Sequence, residues 1–181
     1  MKRHLLLLLA LCLALPLQAA EDFRDIKWEV LVPKGWDPSK DLKALDLGNL
    51  QDNDPRAMEA LEKIRQMWDN APTDPALAGA RVRLPGFAIP LENKGGKVSE
   101  FLLVPYFGAC IHTPPPPANQ IIHVVTKKPV NKLLSMDTVK VSGTLSLQSA
   151  NTPWGNAGYR LTLDKLESFN PAPPAEEKRR R

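Results

Sequence analysis

Apolar and polar positions alternate along five stretches in the C-terminal part of this chain. Arg81-Val82-Arg83-Leu84 alternates, Pro85-Gly86 interrupts, and Phe87-Ala88-Ile89-Pro90-Leu91 resumes the extended run. Residues 93–96 make a turn. Residues 100–104 and 120–125 read as short buried strands, residues 138–145 alternate again, and residues 158–166 form the last strand. A period of two sends successive side chains to opposite faces, which is the mark of a strand with one face buried. Gly86 and Gly143 fall inside the first and fourth of these strands. Glycine within a strand marks a bend or bulge of the kind found at barrel corners. The pattern predicts a small OB-like five-stranded barrel, with an open β-sandwich as the alternative packing.

Upstream the pattern differs. Residues 26–33 read as a short extended segment, stopped by Pro33 and turned at Gly35, and residues 37–53 are polar and irregular. Asp54 can cap a helix and Pro55 suits its first position. Met58, Leu61, Ile64 and Trp68 follow at helical spacing until Ala71-Pro72 ends the run. This stripe predicts an amphipathic helix packed on the domain. The fold class is therefore mainly β with one N-terminal helix, in a single β-rich domain over residues 20–170. Residues 171–181 are Pro-rich and charged, with too little apolar surface to fold, and are expected to form a disordered tail.

The first residues change how composition is read. Lys2 and Arg3 precede an apolar run over residues 5–15, then Pro16 and the small residues Ala19 and Ala20. This is the layout of a cleavable secretory signal peptide over residues 1–19, and the run is too short to span a bilayer comfortably. Cleavage after Ala19 or Ala20 delivers an exported protein without a further membrane-spanning run. Six of the 24 basic residues lie in the leader or at residues 178–181, which leaves 18 against 20 acidic ones. The folded part is then close to neutral, so the basic footprint of a nucleic-acid binder is missing.

Cleavage also removes Cys12, leaving Cys110 as the one thiol and His112 and His123 as the only histidines. An intramolecular disulfide is excluded. An odd cysteine in an exported chain points to a buried thiol, a metal ligand or an intermolecular partner. Cys110 and His112 share a face if the chain is extended there. Pro114, Pro115, Pro116 and Pro117 then impose a stiff excursion that can bring His123 back toward them. Thiolate with imidazole suits Zn²⁺ or Cu⁺, so Cys110, His112 and His123 form a candidate metal set. Two other readings of the same residues stay open. Free cysteine often only packs in a core, and a Cys110 nucleophile with His112 as base is a formal enzyme alternative. No catalytic residue is otherwise assigned. The proline run with Asn119 and Gln120 is a candidate loop surface for a partner.

Several groups of residues resemble one family. These are Pro90-Leu91-Glu92, the run from Glu100 through Cys110-Ile111-His112 to the four prolines and Asn119-Gln120, and also residues 26–33, Val141-Ser142-Gly143 and Gly158-Tyr159-Arg160. They are similar to the domain-of-unknown-function 3299 family of exported proteobacterial proteins. The resemblance spans roughly residues 25–170. It implies a periplasmic or envelope protein without assigned catalysis, associated with ABC-type envelope transporters and with zinc homeostasis. Some such relatives look lipid-anchored, whereas this chain lacks a lipid-attachment cysteine in the right place.

Overall fold

The computed structural model describes residues 23–37, 55–92, 94–109 and 115–169. The leader (1–19), the tail (171–181) and the Cys110–Pro114 stretch of the motif lie outside the described residues.

Among the described residues, eight strands and one α-helix follow in chain order. Strand β1 is Arg24–Asp25, the helix α1 is Pro55–Asp69, β2 is Arg81–Pro90 and β3 is Lys97–Val104. Then come β4 (Ile122–Asn131), β5 (Thr138–Ser146), β6 (Ala150–Thr152), β7 (Gly155–Ala157) and β8 (Tyr159–Ser168). The main sheet runs β1-β2-β3-β4-β8-β5, and β2 also pairs with β5. That second pairing closes the sheet into a five-stranded barrel of β2, β3, β4, β8 and β5. Only β4 and β8 run parallel among its members. The barrel is the OB-like one expected, and its closure removes the open sandwich.

Both strand glycines sit where neighbouring segments approach closely. The register between β5 and β8 slips at Ser142/Gly143. A Cβ on Gly143 would run into the Thr162 carbonyl oxygen and stand 2.5 Å from Leu161 Cδ2. A Cβ on Gly86 would lie 2.8 Å from the Val104 carbonyl oxygen and 3.0 Å from the Trp28 ring. No side chain fits at these crossings, so glycine is required by close approach.

Two local expectations are corrected. Pro85-Gly86 does not interrupt the strand: Pro85 pairs with Lys140 of β5, and β2 is continuous. Its carbonyl accepts the Trp28 indole N–H at 2.8 Å, at a point where β3 has not yet joined the ladder. Residues 26–33 are not one extended segment either. Trp28–Leu31 winds into a 3-10 turn, because the indole is held by Pro85 and the Leu31 carbonyl by Tyr159.

The barrel interior is filled by Val82, Leu84, Phe101, Leu103, Val124 and Leu161 with their neighbours, all fully buried. Tyr159 is buried with them. Helix α1 is present where expected, but only the C-terminal half of its apolar stripe packs. Met58 is 68% exposed and Leu61 57%, and Ala60 is the buried residue. The helix meets the β6–β7 hairpin at β7, so its half-buried positions Ile64, Met67 and Trp68 are the ones turned inward. Among the described residues no helix is long and apolar enough to cross a membrane.

Candidate functional site on the outer face of the barrel

Alternation along β3 and β4 sends Phe101, Leu103, Ile122 and Val124 into the barrel. Leu102 and His123 therefore point to the outside, directly opposite one another in the antiparallel register. In the parallel pairing with β8, His123 stands beside Arg160. This outer face is nonetheless dry. Ile89, Leu102, Val104, Ala109, Ile121 and Ala157 form a second buried apolar cluster there.

His123 is 5% exposed. Its Nε2 lies 2.8 Å from a Glu100 carboxylate oxygen. Glu100 precedes Leu102 by two residues and so shares its face. A carboxylate only accepts, so Nε2 carries the proton of this hydrogen bond. Nδ1 is then the remaining functional atom, buried and without a partner among the described residues. Arg160 Nε, on the neighbouring strand, is likewise buried and without a partner among the described residues. A buried polar atom without a partner costs about 1–3 kcal/mol. The two residues are register partners of β4 and β8 and share this face.

The motif is fastened to this same face at both ends. Ala109, immediately before Cys110, is fully buried in the cluster that contains Leu102. On the far side, Pro115 closes over the β6–β7 hairpin. A Cβ on Gly155, which has φ +130°, would lie 2.9 Å from Pro115 and 3.2 Å from Ile121. The Ala118 carbonyl accepts the Gly158 amide at 2.7 Å. Cys110, His112 and Pro114 themselves lie outside the described residues. Among the described residues no three His, Cys, Asp or Glu side chains gather as a metal cage.

These positions bear on which proteins the chain resembles. Residues 28–168, from the Trp28 turn to the end of β8, match the family described as protein of unknown function (DUF3299). The chain belongs to the DUF3299 family. A crystal structure of a DUF3299 family protein from Pseudomonas aeruginosa PAO1 is similar to it at 36% identity and TM-score 0.64. That match covers 82% of this chain and 97% of the other. Weaker likenesses, each with TM-score 0.35, are to asparaginyl-tRNA synthetase from Pyrococcus horikoshii and to an OBody bound to hen egg-white lysozyme. The first is 22% identical over 53% of this chain and 20% of that one, and the second 16% over 54% and 89%. Neither carries an argument. No curated protein matches the chain.

Within the DUF3299 barrel, part of the expected loop surface is corrected. Asn119 is fully buried, and its amide donates to the Pro72 carbonyl at 2.9 Å. Gln120 is half-buried and donates to the Trp28 carbonyl at 3.0 Å. Pro116 is buried, and Pro115 and Pro117 are half-buried. These contacts fasten the loop to the domain, and Asn119 has no exposed surface. Glu100 is the residue that sequence reasoning missed. It lies 23 positions from His123, and only the β3–β4 register brings the two together.

Proposed function

We propose that this DUF3299 protein is an exported, non-enzymatic binding protein that holds a soft metal ion, Zn²⁺ or Cu⁺, on the outer face of its barrel. In this reading it serves an envelope transport system as an accessory. The observation that carries the reading is the pairing of His123 Nε2 with Glu100, which leaves Nδ1 buried and unpartnered. A metal-binding histidine characteristically donates its other ring N–H to a carboxylate, which fixes the tautomer and raises the basicity of the free nitrogen. His123 has that carboxylate, and its other nitrogen has no hydrogen-bond partner among the described residues.

Cys110 and His112 are the residues that would join His123 Nδ1. Their attachment through Ala109 to the cluster containing Leu102, the register partner of His123, supports their recruitment to this face. A thiolate also suits the setting electrostatically. Arg160 Nε–H needs an acceptor, and an anionic sulfur beside a guanidinium is stabilised as the thiolate. Bound there by three protein ligands, the ion would keep a fourth position open for handover to a partner.

The test is metal uptake by the mature chain. Protein purified under reducing conditions and stripped with chelator is equilibrated with Zn²⁺, and bound metal is measured by native mass spectrometry. One ion per chain is expected, lost in Cys110→Ser and in His123→Ala. Absence of uptake, or equal uptake by both variants, overturns the reading.

A further inference from the structure

The turn joining β4 to β5 holds an apolar side chain in solvent by construction. Leu134 is 63% exposed, yet the turn that carries it is pinned at several points. Lys132 N–H donates to the Gly96 carbonyl at 3.1 Å, and Met136 N–H donates to the Ala88 carbonyl at 2.7 Å. The Asp137 carboxylate accepts the Leu134 amide at 2.8 Å. Lys132 and Met136 adopt φ of 58° and 65°. Non-glycine residues take that left-handed conformation only where the surroundings enforce it. Leu134 is thus presented outward and not merely left uncovered.

The neighbours of this turn complete a pattern. Met136 Sδ accepts the Gly108 amide at 3.4 Å, which ties the turn to the one bearing Tyr106 and Phe107. Tyr106 is 46% exposed and Phe107 69%. Phe107 stands edge-on to Phe87, with ring centroids 5.9 Å apart. On the other side Lys132 is joined through Gly96 to the β2–β3 turn, flanked by exposed Lys94 and Lys97, and Lys128 is exposed near the end of β4. Lys94 pairs with Glu92. Lys97, Lys128 and Lys132 form no ion pair among the described residues.

We infer that the β4–β5 turn docks this protein on an anionic bilayer surface, with Leu134 entering the headgroup boundary and Lys97, Lys128 and Lys132 facing the lipid phosphates. Shallow apolar insertion with basic residues beside it is the physics of interfacial attachment. Each lysine near an anionic surface adds to the attraction, and the complementarity of charge selects a membrane over an uncharged apolar partner. Tyr106 and Phe107, an amphipathic and an apolar ring beside the same turn, suit the same boundary.

The test is sedimentation of the full mature chain with vesicles of phosphatidylcholine alone or with about 30% phosphatidylglycerol, a composition in which Debye screening weakens binding as salt rises. Binding is expected on the anionic vesicles only, and it should weaken as NaCl is raised. Leu134→Ser should lower the partition coefficient about tenfold, and Lys132→Glu about fivefold or more. Leu134→Trp should show a blue-shifted emission increment on anionic vesicles. Leu61→Ser, an equally exposed apolar position on the helix, should leave binding unchanged. The basic tail is present in every variant, so its contribution cancels. Lack of binding, binding indifferent to headgroup charge, or binding unchanged by Leu134→Ser and Lys132→Glu overturns the inference.

Discussion

The Tyr159 hydroxyl donates a hydrogen bond to the Leu31 carbonyl at 2.8 Å, across 128 residues of sequence. The same oxygen accepts the Asp74 amide at 2.6 Å. One buried phenol therefore ties the N-terminal turn and the segment after helix α1 to the last strand of the barrel. Tyr159→Phe keeps the ring packing and strands two buried backbone groups. We expect a loss of about 2 kcal/mol of unfolding free energy, read from urea denaturation.

Burial pushes the Tyr159 pKa above its ordinary value near 10, against the opposing effect of the Asp74 amide hydrogen bond. The native state then keeps a proton that the unfolded chain releases. Stability from this group is full below pH 10 and falls as pH rises from there through the native-state pKa. Thermal midpoints should therefore decline once the pH rises above about 10, the ordinary tyrosine pKa. In Tyr159→Phe that part of the decline should vanish.

Gly143 allows β5 to cross β8 at the register slip. Gly143→Ala places a methyl group against the Thr162 carbonyl and the Leu161 side chain. The backbone oxygen cannot step aside as a side chain would. We expect destabilisation of about 2–3 kcal/mol by overpacking, seen as a lower thermal midpoint. An unchanged midpoint would show that the crossing has room.

Glu100→Gln tests the orienting role of the carboxylate. The amide retains size and hydrogen bonding but not charge, and it can equally donate to Nε2, leaving the imidazole tautomer unfixed. If His123 binds metal through Nδ1, Zn²⁺ affinity should fall about 10- to 100-fold. Competition against a chromophoric chelator measures this. Unchanged affinity, with uptake intact, would remove Glu100 from the site.

On helix α1, Met58→Ser and Leu61→Ser should each shift stability by no more than about 0.5 kcal/mol, because both side chains already face solvent. Ala60→Leu, by contrast, should destabilise by about 1–3 kcal/mol through crowding of the buried contact. Urea denaturation of the three variants decides whether the packed side of the helix runs through Ala60.

The five barrel strands were legible because their alternation reports a face, and faces are what closure needs. Gly86 and Gly143 stood out as glycines within that alternation. What escaped depends on contacts between distant residues. Pro85 read as an interruption because its bond to Trp28, 57 residues away, has no local sign. Trp28–Leu31 read as extended because its turn is held from Pro85 and Tyr159. The β6–β7 hairpin is only three residues to a side and carries little apolar signal; its clue is the turn chemistry of Thr152-Pro153-Trp154-Gly155, where the Thr152 hydroxyl donates to the Gly155 carbonyl. At the site, His123 was legible as a rare residue type, whereas Glu100 was one acid among many until the register placed it. Asn119 shows the converse error. An amide beside a proline run reads as surface, and here its buried N–H is occupied by Pro72.

The strand that closes the barrel is also the last to be made. β8 lies between β4 and β5 and bonds to both. A chain emerging N-terminus first cannot complete its wall until residue 168 is free. Until then β4 and β5 each expose an unpaired edge, the surface on which strands from other molecules add. Vectorial folding of this protein is therefore a race settled in the final few dozen residues. A chain truncated just before β8 should be far more prone to aggregate than one truncated just after it.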